Sequence, residues 1–124
     1  MQTNLKITRW FPTALGEAYY PNAEKEHKRL LPHIDKIKGE KDGCFNYYQV
    51  HKDKKFNNIN KFILAKVNEF SNQHKFGQMK VADSWFNDYK KYNVNTPHAH
   101  LGSIFTAVYY LVGYTEDVSL VIHS

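Results

Sequence analysis

Two histidines one residue apart, His98 and His100, are the side chains of this sequence best suited to metal chemistry. On an extended backbone, residues at positions i and i+2 point to one face, so both imidazoles can reach one ion. The chain has seven histidines, and such a composition produces about 0.4 pairs of this spacing by chance. The pair therefore predicts either a metal site or two partly exposed loop histidines.

The other five histidines have a more ordinary interpretation. His27 and His33 fall in a helical pattern, and His51 and His74 lie near helix flanks, which favours surface or hydrogen-bonded boundary positions. His123 is the only histidine after the pair, and it is a weak candidate for a third metal ligand.

A first amphipathic helix is predicted ahead of the histidine pair. Asn22 is a plausible N-cap and Gly39 a stop. Pro32, inside the pattern, predicts a kink or two shorter helices. The apolar face consists of residues three and four apart: Ala23, His27, Leu30, Ile34 and Ile37.

A second helix is predicted between an asparagine cap near residue 57 and Gly77. Its helical face comprises Ile59, Phe62, Ile63, Lys66, Val67 and Phe70. The segment between the two helices is predicted to be an irregular connection.

The remaining pattern indicates strands. Residues 6–11 form a short predicted strand, followed by a loop-rich entry. After Gln78 the period changes to two, which predicts strands over about 80–89, over 102–112 and near the C-terminus. Both faces of residues 104–112 are largely apolar, so this strand is predicted to be central and covered on both sides. Helices followed by consecutive strands indicate an α+β fold.

Size and charge narrow the classes of protein. A chain of 124 residues suits a single domain, 1–124. Only Arg9 and Arg29 are arginines among 17 basic residues, so a nucleic-acid interface is weakly indicated. The longest apolar run is too short to cross a bilayer. The single Cys44 excludes an internal disulfide, and without a secretory signal pattern a cytoplasmic protein is expected.

The segment around the histidine pair resembles the central signature of the 2-oxoglutarate/Fe(II)-dependent oxygenases of bacteriophages and bacteria. That signature runs Trp-x-Asn, a short loop, His-x-His, a small residue and a strand of Ser-Gly-Val-Tyr-Tyr-Leu type. Residues 10–22 are also similar to the N-terminal opening of the family. The matching positions are Trp85, Asn87, His98, His100, Ser103 and residues 106–111.

The resemblance implies two N-terminal helices packed on a partial double-stranded β-helix, a jelly-roll-like sheet. It also implies Fe(II) at His98 and His100, with 2-oxoglutarate bound near Asn87, Tyr109 and Tyr110. In a complete site, a ferryl oxidant would hydroxylate a substrate. A phage-encoded protein of this kind would reside in the host cytoplasm or the virion.

The sequence departs from the family in two ways. His100 stands where a carboxylate is commonest, which leaves open whether it binds iron or supports a ligand. The family continues with strands that carry a distal histidine and an arginine, whereas here only His123 follows the pair and no Lys or Arg follows Lys91. We therefore expect a truncated domain and no 2-oxoglutarate turnover by this chain alone.

Three explanations for the departures stay open: a fragment, a second chain that completes the barrel, or a non-catalytic structural or binding module. Such a module, for example a phage particle component, would contact a protein partner or a second copy through an exposed strand edge. A cupin-like metal protein and a nucleic-acid binder are weaker alternatives.

Overall fold

The computed structural model describes residues 4–10, 13–39, 45–89, 96 and 98–111, with backbone only for Trp10 and Phe45. This part of the chain is α+β, as predicted, with two helices and two two-stranded antiparallel sheets. The elements in chain order are β1 (Lys6–Trp10), β2 (Thr13–Glu17), α1 (Ala23–Lys38), β3 (Phe45–Tyr48), α2 (Asn57–Gln73) and β4 (Trp85–Asp88).

Helix α1 confirms the predicted amphipathic segment and its boundaries. Asn22 precedes it in the left-handed region, φ 55°, which asparagine tolerates better than most residues. Its backbone carbonyl, rather than its side chain, accepts from the amides of Lys25 and Glu26. Gly39, at φ 58°, ends the helix. Pro32 lies at an exposed position inside one helix, where water can satisfy the carbonyl that lacks its intrahelical donor.

Helix α2 starts from two short 3₁₀ turns, Val50–Lys52 and Lys54–Phe56. The Asp53 side chain caps the second turn by accepting from the Lys55 amide at 2.9 Å. Helix α2 itself follows Phe56 without a side-chain cap, so the predicted asparagine cap is not observed. Of the predicted apolar face, Ile59 is buried and the other members are partly buried. The connection between the helices is therefore more regular than predicted.

Strands β1 and β2 form a hairpin in register from Lys6 opposite Glu17 to Trp10 opposite Thr13. The predicted first strand is confirmed, whereas the loop-rich entry contains a second strand. The hairpin packs on α2 at Gly16: a Cβ atom there would lie 2.9 Å from a ring carbon of Phe70. Glycine permits this close approach.

The buried core lies where α1 meets the 3₁₀ turns and the start of α2. It comprises Leu30, Val50, Phe56 and Ile59. Partly buried residues from the β2–α1 connection, α1, α2, β3, β4 and the end of the described chain pack against it: Tyr20, Ile34, Ile37, Tyr47, Ile63, Phe86, Tyr109 and Leu111. This core attaches the β3–β4 sheet to the helices.

The prediction of a central strand over residues 102–112 is wrong for the described part, because residues 103–111 pair with no described strand. One face is largely exposed, with Ile104 at 65% and Val108 at 58% of their full accessibility. The other face is held by aromatic contacts: Phe105 packs against Phe70 with ring centroids 5.4 Å apart. Apolar alternation here reflects one packed face and one largely exposed face.

The predicted strand over 80–89 is confirmed only for residues 85–88. The predicted third strand, near the C-terminus, lies outside the described residues. Within the described part, neither helix combines the length and apolar character required to cross a bilayer.

Candidate functional site

The two faces of the β3–β4 sheet have different surroundings. Asn46 lies opposite Asn87, and Tyr48 lies opposite Trp85. All four side chains are exposed, whereas the alternate residues Tyr47, Phe86 and Asp88 are partly buried. Because residues two apart share a face, these four form one exposed surface, which we call the outer face.

The histidine pair lies beside this outer face. The ring centroids of Trp85 and His100 are 5.4 Å apart. The rings of His98 and His100 follow at 5.0 Å between centroids, with an interplanar angle of 81°. The structure therefore places both predicted metal ligands next to the Trp-x-Asn strand.

The orientation of His98 suits a metal ligand. Its Nδ1–H donates to the backbone carbonyl of Thr96 over 2.8 Å, because a carbonyl can only accept. The Nε2 lone pair is then the one available to a metal, and a metal-binding histidine commonly donates its other ring N–H to a carbonyl or carboxylate.

The distance between the two imidazole rings is also compatible with binding of one metal ion by both. Two imidazoles bound to one ion, with nitrogen–metal distances of about 2.0–2.1 Å, have centroids roughly 4.5–5.2 Å apart for bond angles between octahedral and tetrahedral. The 5.0 Å separation of His98 and His100 falls in this range. The donor set is incomplete within the described residues, where no group of three His, Cys, Asp or Glu side chains could hold a metal. His123, the weak third candidate, lies outside them.

The three predicted cofactor-binding residues occupy different positions. Asn87 is on the outer face, two residues from Trp85. Tyr109 points to α1, where its hydroxyl lies 2.7 Å from Nε2 of His27. Burial, followed by the nearby Tyr20 and Glu26, raises the pKa of Tyr109 above its ordinary value. The contacts described for Tyr109 are with His27 and Tyr20 and do not join Tyr109 to the histidine pair. Tyr110 is exposed.

Residues behind the sheet form a hydrogen-bonded network around Asp53. Nε2–H of His33 donates to its carboxylate over 2.8 Å, and the Tyr47 hydroxyl donates to the same oxygen over 3.1 Å. Burial alone would raise the pKa of Asp53, but the bonds from His33, the Lys55 amide and Tyr47 outweigh it and lower the pKa. Burial and then Asp53 raise the pKa of Tyr47.

Strand β4 is held at both ends. Ser84, just before it, accepts from the His51 amide over 2.8 Å and lies 2.5 Å from Nδ1 of His51. At the other end, Asp88 forms an ion pair with Lys38 of α1. These contacts position Trp85 and Asn87. The bonds of His27 to Tyr109, of His33 to Asp53 and of His51 to Ser84 confirm the predicted hydrogen-bonded boundary positions of these three histidines.

Sequence reasoning predicted the histidine pair and Asn87 as site residues and Trp85 only as part of the family signature, and it missed Asn46 and Tyr48. The available signal was the alternation in residues 45–48, which was short and followed by polar residues. Comparison with known proteins adds no relatives: no family model, curated protein or solved structure matches the chain.

Proposed function

We propose that this chain is a 2-oxoglutarate/Fe(II) oxygenase-like protein in which His98 and His100 supply two ligands of a divalent metal. The observation that carries the proposal is the arrangement of the pair: centroids 5.0 Å apart, with Nδ1 of His98 engaged by the Thr96 carbonyl. Imidazole nitrogen is a good ligand for iron and for neighbouring divalent metals.

In this proposal the residues around the histidine pair have defined roles. The Thr96 carbonyl keeps His98 in the tautomer whose Nε2 can bind metal. The indole of Trp85 packs beside His100 and limits the orientations of that ring. Asn87 is proposed to hydrogen-bond 2-oxoglutarate from the outer face of a complete, jelly-roll-like domain, whereas Tyr109, whose hydroxyl contacts His27, and Tyr110 are given no part in holding it. When bound, iron and 2-oxoglutarate supply the activation of dioxygen for hydroxylation.

Metal binding tests the first half of the proposal. Titration with Co(II), followed by visible absorption and calorimetry, should show one site that His98→Ala weakens by about tenfold or more. His27→Phe is the matched control, because it removes an imidazole but retains a ring against Tyr109. Equal Co(II) affinity in the parent and the His98 variant would exclude this metal site.

Cofactor binding tests the second half. Adding 2-oxoglutarate to the Co(II)-loaded protein should change its visible spectrum, and Asn87→Ala should weaken that change. The 124-residue chain, supplied with Fe(II), ascorbate and 2-oxoglutarate, should form no succinate in repeated turnovers. A Co(II) spectrum indifferent to 2-oxoglutarate would remove the oxygenase assignment, and sustained succinate formation would contradict the inactive state.

A second candidate function is a non-catalytic binding module that associates with another copy of itself. The largely exposed Ile104 and Val108 side chains favour it, because exposed apolar side chains can pack against a second copy while strand edges pair through their backbone groups. Sedimentation analysis should then show a dimer that Val108→Lys dissociates. A monomer at all accessible concentrations would eliminate this alternative.

A further inference from the structure

We infer that the outer face of the β3–β4 sheet is a carbohydrate-binding surface, with a neutral oligosaccharide as its ligand. The surface consists of Asn46, Tyr48, Trp85 and Asn87, with His100 at its edge. The inference deepens the proposed function by naming the substrate class of the histidine site, and it rests on that function only for the step from ligand to substrate.

The aromatic residues of this face are arranged for stacking. Tyr48 and Trp85 are directly opposite each other on adjacent strands, and they retain 63% and 39% of their accessibility. Adjacent strands are about 4.8 Å apart, so the two aromatic residues are cross-strand neighbours on the outer face. The C–H face of a pyranose ring packs on exposed aromatic side chains, and the amphipathic rings of Tyr and Trp lose little conformational entropy on binding.

The polar residues of the face match the same ligand. Asn46 lies directly opposite Asn87, and each is two residues from one of the aromatic side chains. A carboxamide offers an acceptor and two donors, which suits pairs of vicinal hydroxyl groups. The Asn46 amide beside Tyr48 therefore allows a sugar to stack and hydrogen-bond at once, while Asn87 stays assigned to 2-oxoglutarate in the complete site.

The charge of the face distinguishes a sugar from a nucleic acid. None of its four strand residues is charged, and the acidic residue of β4, Asp88, is on the other face in an ion pair with Lys38. Proteins that bind single-stranded DNA or RNA combine aromatic stacking of the bases with a cationic groove along the phosphates. A neutral stacking surface favours a neutral ring ligand.

The histidine pair lies at the edge of the outer face, so a ligand bound there would be next to the proposed metal site. His100 packs against Trp85, and His98 packs against His100. A sugar ring stacked on Trp85 would therefore lie beside the imidazoles, close to a metal held by them. Trp85 would orient the substrate without binding the metal.

The test is calorimetric titration with cellohexaose, maltohexaose and chitohexaose as probes. At least one should bind, and Trp85→Ala should weaken it about tenfold, with a smaller loss for Tyr48→Ala. Tyr19→Ala is the matched control, because Tyr19 is an exposed tyrosine outside the sheet. Circular dichroism and Co(II) titration of each variant report whether the fold and the metal site are retained.

The outcomes separate the two proposals. Hexaose binding that survives His98→Ala while Co(II) binding is lost would support the surface independently of the metal. Absence of binding to all three hexaoses at millimolar concentration would overturn it, as would equal affinity of the Trp85 and Tyr19 variants. Binding of a thymidine oligonucleotide instead, lost in Trp85→Ala, would overturn it in favour of single-stranded nucleic acid.

Discussion

The inner and outer faces of the β3–β4 sheet differ in what their side chains contact. On the inner face, Phe86 packs against Tyr47 and Phe56, with ring centroids 5.4 and 6.0 Å apart. On the outer face, its chain neighbour Trp85 is exposed and contacts His100. One short strand therefore serves both the core and the candidate site.

In this small sheet, stability and ligand binding are assigned to opposite faces. Inner-face substitutions should change stability, because they remove contacts with the core. Outer-face substitutions should change ligand binding and leave the fold intact, because side chains on that face contact few core residues. Three stability measurements test whether the two faces have these separate roles.

The largest effect is expected for the matched pair Phe86→Ala and Trp85→Ala. Phe86→Ala should lower the free energy of unfolding by about 2–4 kcal/mol, since it removes ring contacts with Tyr47 and Phe56. Trp85→Ala should lower it by less than about 1 kcal/mol. Urea denaturation followed by circular dichroism measures both, and equal losses would show that the outer face also carries the fold.

An intermediate effect is expected for Asp53→Asn, which weakens the bonds to His33 and Tyr47. The free energy of unfolding should fall by about 1–2 kcal/mol near neutral pH. Because the folded-state pKa of Asp53 is lowered, its contribution is complete above the ordinary value of 3.8 and is lost as pH falls through the folded-state pKa.

Denaturation curves of the parent and Asp53→Asn proteins between pH 2 and pH 7 check this. The two stabilities should converge at the acidic end. A difference that stays constant down to pH 2 would show that the carboxylate charge does not stabilise the network.

The smallest effect is expected at the ion pair between Lys38 and Asp88, which are partly exposed. Lys38→Met should lower the free energy of unfolding by about 0.5–1 kcal/mol at low salt, and the loss should shrink as salt screens the pair. Lys28→Met, at an exposed pair with Glu24 within α1, is the control. If the loss of unfolding free energy in Lys38→Met did not depend on salt, it would come from packing of the aliphatic part of Lys38 and not from the ion pair.

The local sequence determined the helices. Caps, stops and apolar residues three and four apart located α1 and α2 to within a few residues, because these signals act over one or two helical turns. The family resemblance also named His98, His100, Asn87, Tyr109 and Tyr110 as candidates for one site, with Trp85 as part of the signature. The double-stranded β-helix and its bound iron and 2-oxoglutarate stay predictions.

Tertiary structure decided the arrangement of the strands. Residues 103–111 have the alternation of a buried strand, yet Phe105 packs on Phe70 and Tyr109 contacts His27 while Val108 is uncovered. Alternation reports which residues share a face, but the presence of a neighbour depends on distant parts of the chain. The pairing of Tyr48 with Trp85 likewise joins residues far apart in sequence, so only the folded chain could reveal the outer face.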